Sequence, residues 1–258
     1  MKEIKRALDI AKKACVESGR YAKSRKNKIR RVSFKGEINL VTDVDKSCQD
    51  KIVRIIRNNF PSHNILSEEN YETKKDSDYK WVIDPLDGTT NFAHGLPIYS
   101  TSIALEKNGN IIAGAVYNPE LDELFYARRN KGSFLNNKRI RVSKIRSVKK
   151  SLLVTGFAYN IKKKAGDNIG NFETFLKKAQ AVRRLGSAAL DLCYVASGRF
   201  DGFWELGLHP WDSAAGLLII EEAGGKVTKF DNSPYSIYDK EILATNSSIH
   251  PDMVKALK

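Results

Sequence analysis

Asp84 and Asp87 stand three residues apart in the segment Trp81-Val82-Ile83-Asp84-Pro85-Leu86-Asp87-Gly88-Thr89-Thr90-Asn91. The apolar run Trp81 to Ile83 reads as a strand that delivers Asp84 to its carboxyl end. Pro85 fixes one backbone angle, and Gly88 permits a conformation that a side chain resists. Such a turn can hold both carboxylates near each other with the Leu86 carbonyl between them. Two anions that close repel, and a divalent cation relieves the repulsion. The backbone N–H groups of Gly88 and Thr89 can then face an anion such as phosphate. Taken alone, Asp-Gly is an ordinary hairpin turn. A hairpin needs no second acid, no Thr pair and no strand ending in Asp, so the segment read whole favours a metal site.

Three further clusters carry acids. Glu68 and Glu69 follow the short apolar run Ile65-Leu66, although adjacent acids are also common on solvated surfaces. In Asn39-Leu40-Val41-Thr42-Asp43-Val44-Asp45 the polar residues either join the site or simply cap the next helix through Thr42 or Asp43. In His209-Pro210-Trp211-Asp212-Ser213-Ala214-Ala215-Gly216, Asp212 opens an apolar helix, and capping is again the alternative. Every candidate ligand is an oxygen donor, which suits Mg²⁺ or Mn²⁺ rather than zinc. His63, His94, His209 and His250 show no ligand spacing. There is no Walker loop, dinucleotide fingerprint or Gly-x-Ser-x-Gly elbow, so water is the expected nucleophile.

These acids need elements to hold them. Ile4, Ala7, Leu8, Ala11 and Cys15 recur at helical spacing, predicting a first helix up to about Lys26. A short strand is expected around Ile29 to Phe34. A second helix carries Cys48, Ile52, Ile55, Ile56 and Phe60 on its buried face and stops at Pro61. Strands are expected at Ile65-Leu66 and Trp81 to Asp84. Two more, Thr101 to Glu106 and Ile111 to Tyr117, flank the hairpin signal Asn108-Gly109, and Asn136-Asn137 marks another turn. Beyond Ser151 the pattern alternates: strand 152–155, helix 168–181, helix 187–197, strand 202–206, helix 212–223, strands 226–229 and 242–244, and a last helix near Pro251. The expected organisation is an α+β half, residues 1–145, carrying most candidate ligands, and an α/β half, residues 146–258, carrying Asp212. Both halves layer helices on sheets in one body.

Bulk composition narrows the class. The 258 residues are 41% hydrophobic and 29% charged, the balance of a soluble globular chain with ample core. No run reaches the length of a membrane span, and the start lacks an apolar signal core. Cys15, Cys48 and Cys193 are odd in number and far apart, which predicts free thiols and a cytoplasmic location. The net charge of +14, concentrated at 20–35, 138–150 and 162–164, would attract anionic substrates or nucleic acid. No aromatic interleaving or nucleic-acid motif accompanies it, so a lysine-rich solvated surface is the simpler reading, with nucleic acid a secondary partner.

Asp84-Pro-Leu-Asp-Gly-Thr-Thr-Asn91, Trp211-Asp-Ser-Ala-Ala-Gly216 and Glu222-Ala-Gly-Gly225 together resemble the inositol monophosphatase family. Asn39 to Asp45, Glu68-Glu69 and Arg184-Leu-Gly-Ser-Ala-Ala-Leu-Asp-Leu192 extend the resemblance, in family order, over essentially the whole chain. The resemblance implies a layered αβαβα sandwich and a Mg²⁺-dependent phosphatase holding two to three ions, with Mn²⁺ a substitute. It implies that Glu68, Asp84 and the Leu86 carbonyl bind a first metal and that Asp84, Asp87 and Asp212 bind a second, with Glu68 also reaching a third. Asp45 and Thr89 would position and deprotonate the attacking water, with Glu68 counted among the catalytic acids. Gly88 and Thr89 would hold phosphate, while Glu205 and the backbone at Gly186, Ser187 and Ala188 would meet substrate hydroxyls; Asp87 and Asp212 also border the substrate. Family members are commonly homodimeric and lithium-sensitive. Inositol-1-phosphate is the expected substrate; fructose 1,6-bisphosphate is the alternative, and an RNA- or transcription-associated binding role is a more distant one.

Overall fold

The computed structural model describes residues 2–26, 32–34, 40–157 and 168–257, with side chains from 43 onward in the second helical region. Residues 29–31 of the expected first strand, Asn39 and the basic run 162–164 lie outside the described residues.

Two helices, α1 (Lys2–Arg25) and α2 (Asp43–Asn59), precede most of the larger sheet, with the short pair β1 (Val32–Phe34) and β2 (Leu40–Thr42) between them. The larger sheet contains β3 (Asn64–Ser67), β4 (Tyr71–Glu72), β5 (Tyr79–Asp87), β6 (Ser100–Lys107), β7 (Asn110–Asn118), β8 (Glu123–Arg128), β9 (Ser133–Leu135) and β10 (Lys138–Ile140). A short helix, α3 (Thr89–Ala93), sits between β5 and β6. The strand order is β10-β9-β8-β7-β6-β5-β3-β4, antiparallel throughout except for the parallel pair β3 and β5.

The second half supplies β11 (Leu152–Thr155), α4 (Ile169–Lys178), β12 (Ala181–Arg183), α5 (Ala188–Ala196), β13 (Gly202–Leu206), α6 (Pro210–Glu222), β14 (Lys226–Thr228), β15 (Glu241–Thr245) and α7 (His250–Ala256). Its sheet has the order β12-β11-β13-β15-β14.

Side-chain alternation explains the stacking, because successive strand residues face opposite sides. Trp81 and Ile83 of β5 pack with Ala11, Ile52 and Ile56 from α1 and α2. Val82, between them, faces the other way and joins Leu190, Leu218, Val154 and Phe203. In the smaller sheet Leu153, Trp204 and Leu243 turn to Phe175 and Met253, on α4 and α7. Helices, sheet, helices, sheet, helices follow in order: the expected αβαβα sandwich. The central layer, α5 and α6, touches both sheets and so can carry residues to a site between them.

Several boundaries depart from expectation. β5 runs on to Asp87 instead of ending at Asp84, and the short elements α3, β4 and β12 have no counterpart in the sequence pattern. Ala181, expected in a helix, begins β12, whose parallel pairing with β11 outweighs local helix preference. α6 starts at Pro210, with Pro at the first helical position, where its missing N–H has no intrahelical bond to make. Asp212 is therefore the third helical residue rather than its opening cap. Its Oδ2 instead accepts the His209 N–H at 2.7 Å.

Candidate active site

The site begins with an irregularity in β5. Asp84 pairs with Ser102 and Asp87 with Ser100, so three steps on β5 face two on β6. This is a β-bulge, placed where Pro85 has no N–H to give to the ladder. In a regular strand residues three apart point to opposite faces; the extra residue lets Asp84 and Asp87 turn to one side. Oδ1 of Asp84 accepts the Leu86 N–H at 3.0 Å, and the Thr101 hydroxyl donates to the Pro85 carbonyl at 3.1 Å, fixing the bulge from both strands.

Parallel pairing brings in Glu68. Ser67 is opposite Ile83, and the Glu68 N–H donates to the Ile83 carbonyl at 3.2 Å, so Glu68 leaves the end of β3 beside Asp84, where the β5 bulge begins. Asp212 arrives on the first turn of α6. Burial, then the charges of Glu68, Asp87 and Asp212, hold the Asp84 carboxyl well above the usual carboxylate range. Asp212 is raised likewise, by burial first, with Asp87 and Glu68 adding and the His209 amide and Lys240 opposing. Four acids from three separate parts of the chain thus feel one another's charge.

Asp87 is anchored from the helical layer. Its Oδ2 accepts hydrogen bonds from the Ser187 hydroxyl, the Ala189 N–H at 3.0 Å and the Ser100 hydroxyl at 3.4 Å. Burial still prevails over these donors and pushes Asp87 up to about 6. Gly88 follows with φ +87°, and a Cβ there would lie 3.0 Å from the Ile98 carbonyl oxygen, so the turn demands glycine. It leads into α3, where the buried Thr89 hydroxyl lies 2.9 Å from the Leu86 carbonyl and 3.0 Å from Oδ1 of Asp45. Asp45 is buried in the first turn of α2.

Glu205 lies on β13 and is buried. Burial, then the charges of Asp212 and Asp87, push it up to about 8, against the pull of Arg184. Gly186, Ser187 and Ala188 form the turn into α5 beside Asp87.

Two residues escaped the sequence reading. Asn91 donates from Nδ2 to the carbonyls of Ile98 and Leu185, each at 2.8 Å, tying α3 to the Gly186 turn. Its place in the Asp84–Asn91 segment was visible, but its partners were distant. Gly156 lies against Glu205: a Cβ there would be 2.2 Å from a carboxylate oxygen. No local signal marks it. The histidine rings have other roles: His63 stacks on Phe60 and Tyr79, His250 bonds Thr228 and Thr245, His94 is exposed, and His209 stacks on Trp211 while its backbone N–H holds Asp212. Cys15, Cys48 and Cys193 are free and buried.

Whether this pocket suits a metal can be judged from its donors. Among the described residues no group of three or more acidic, His or Cys side chains is placed to hold a metal ion on its own. Mg²⁺ does not require one, since it usually retains several waters and fills further positions with substrate phosphate oxygens. An excess of mutually repelling buried oxygen donors fits hard divalent ions, and the donor chemistry is right.

A layered αβαβα sandwich that gathers these mutually repelling acids marks the chain as a phosphatase. The chain belongs to the inositol monophosphatase family, whose model matches residues 3–258. It is 44% identical over 252 residues to an inositol-1-monophosphatase of Synechocystis, covering 97% of this chain and 88% of that protein. It is also 44% identical over 226 residues to the Nus factor SuhB of Escherichia coli, covering 87% and 83%. The solved inositol monophosphatase of Anabaena superposes with a TM-score of 0.90 at 42% identity, covering 98% of this chain and 96% of that one. Among the described residues no helix is long and apolar enough to cross a membrane.

Proposed function

We propose that this phosphatase acts on inositol-1-phosphate or a similar small polyol or sugar phosphate and depends on Mg²⁺, with Mn²⁺ able to substitute. The observation that carries the reading is the convergence of Glu68, emerging from β3 beside Asp84, with Asp84 and Asp87, which the β5 bulge turns to one side; with Asp212 these acids repel one another unless cations are present. Glu68, Asp84 and the Leu86 carbonyl would hold one ion, Asp84, Asp87 and Asp212 a second, and Glu68 would reach a third. When bound, such ions neutralise phosphate charge and acidify water. We assign residues 1–145 the supply of most ligands, and residues 146–258 Asp212 and the substrate contacts.

The chain's own groups do the rest. The Gly88 and Thr89 N–H groups would hold a phosphate oxygen. Thr89 and Asp45, already hydrogen-bonded, would orient the attacking water and take its proton. Glu205, with the backbone of Gly186 to Ala188, would meet the hydroxyls of the leaving alcohol, and the borders of that pocket include Asp87 and Asp212. No covalent intermediate is required, because in-line attack by water needs positioning and charge stabilisation alone.

Family kinship also supports a homodimer, inhibition by lithium and a cytoplasmic location for this chain. The net charge of +14 and the SuhB relative support nucleic-acid association as a secondary role. Phosphate release from inositol-1-phosphate, fructose 1,6-bisphosphate, histidinol phosphate and phosphoadenosine phosphate, with Mg²⁺ and with chelator, tests the main reading; full activity in chelator overturns it. A filter-binding salt titration tests the second: weak binding with a shallow salt slope ends it.

A further inference from the structure

Asn168 stands at the N-terminus of α4 and is buried. Its carbonyl accepts the Phe172 N–H at 2.9 Å, but its side chain makes no capping bond to the helix. That side chain instead joins two strands of the smaller sheet. Oδ1 accepts the Trp204 indole N–H at 2.7 Å, while Nδ2 donates to the Thr155 hydroxyl at 2.7 Å and to the Gly156 carbonyl at 2.9 Å. The partners decide which way the amide lies, because an indole N–H can only donate and a carbonyl can only accept. The Thr155 hydroxyl closes the set by giving its proton to the Trp204 carbonyl across the parallel pair β11 and β13.

These bonds end against Glu205. Trp204 packs on Phe175 of α4, with ring centroids 4.5 Å apart, and strand alternation turns Glu205 to the opposite face. Gly156, directly after β11, borders that carboxylate: a Cβ there would lie 2.2 and 2.3 Å from its two oxygens. We propose that Asn168 is a positioning residue for substrate selectivity. By tying Thr155 and Gly156 to Trp204, it sets the backbone wall that orients the Glu205 carboxylate towards the hydroxyls of a polyol phosphate. The proposal rests on the role given to Glu205 above. An apolar side chain at 168 would leave the Gly156 carbonyl and the Trp204 N–H buried without this partner, and the wall must shift for them to find others. The phosphate end of the site is built on β5 and α3 and should not feel that shift.

The test compares inositol-1-phosphate with p-nitrophenyl phosphate, whose leaving group carries no polyol hydroxyls, both with Mg²⁺. Asn168→Leu, which keeps the branched shape without the polar atoms, is expected to raise KM for inositol-1-phosphate about tenfold, with kcat and the aryl phosphate constants changed less than about twofold. Added to Glu205→Ala it should cost nothing more, since a residue that acts through Glu205 has nothing left to position. Should a thermal melt show the Leu variant unfolded, Asn168→Ser keeps a residue suited to a helix N-terminus, yet its single oxygen cannot make all three bonds, and the same pattern is expected. Equal losses on both substrates, an unchanged KM, or full additivity with Glu205→Ala overturns the assignment. A Glu205→Ala variant with the wild-type KM for inositol-1-phosphate overturns the role of Glu205 and this proposal with it. A raised KM in Glu205→Ala beside a flat Asn168→Leu overturns only the role of Asn168. A wild-type protein that releases phosphate from neither substrate overturns the phosphatase reading itself.

Discussion

The Thr89 hydroxyl lies 3.0 Å from Oδ1 of Asp45 and 2.9 Å from the Leu86 carbonyl, joining α2, α3 and the bulged end of β5 at one oxygen. The hydroxyl has a single proton, so it can donate to only one of these acceptors at a time. Donation to Asp45 leaves a Thr89 lone pair to receive a proton from water; Asp45 is the final base. Thr89→Val, which keeps the shape and removes the hydroxyl, is expected to lower kcat by on the order of a hundredfold or more, with KM little changed. Thr89→Ser should restore much of the loss. A Val variant with near-normal turnover in a phosphate-release assay removes this pair from the reaction.

Gly156 and Glu205 give a second prediction. Adding a methyl group at position 156 would place carbon 2.2 Å from a Glu205 carboxylate oxygen, which must move. Gly156→Ala is therefore expected to raise KM for inositol-1-phosphate by about tenfold, since a small displacement of one hydrogen-bonding group costs that much. Aryl phosphate turnover should change far less. Equal losses on both substrates would place the effect in the phosphate end of the site instead.

What the sequence made legible follows the range of the interactions involved. Asn108-Gly109 and Asn136-Asn137 announce their hairpins because left-handed backbone at those residues is a local demand, and all four have positive φ. The acidic segment around Asp84 was legible because its unusual residues are contiguous. The bulge was not, since it exists only in the register between β5 and β6. Asp212 read as a helix opener because its helix was judged to start after Pro210, whereas a proline suits the first helical position. Gly156 and the partners of Asn91 were invisible because their meaning depends on residues far away in the chain. Three-residue strands such as β12 carry too little periodicity to declare themselves.

Asp87→Asn separates fold from chemistry. The Asn oxygen can still accept from Ser187, Ala189 and Ser100, so the anchoring of Asp87 to α5 survives. The negative charge does not. Phosphate release is expected to fall by on the order of a hundredfold or more while the circular dichroism spectrum stays native. In chelator at neutral pH the variant should melt at a higher temperature than the wild type, because one buried repelling charge is gone. Near-normal turnover contradicts the assignment of Asp87 to a metal.

The acids also set how stability responds to pH and Mg²⁺. The folded Asp87 carboxyl is raised from 3.8 to about 6 and Glu205 from 4.5 to about 8; Asp84 and Asp212 are raised in the same direction. A carboxyl raised on folding binds its proton more tightly in the native state. It therefore contributes stability that is whole below the unfolded value and is lost as pH rises through the folded one. In chelator these groups should weaken the fold progressively between about pH 4 and 8. His250, buried beside Thr228 and Thr245 and lowered to about 4, works oppositely, since charging it on acidification favours the unfolded chain. The clean measurement is thus the difference in Tm between Mg²⁺ and chelator at each pH, from which the His250 contribution cancels. That difference should be small near pH 4, where the acids are protonated and have nothing to offer a cation. It should grow steadily to pH 8 and shrink at every pH in Asp87→Asn. A Tm difference independent of pH would mean that Mg²⁺ binds somewhere other than these carboxylates.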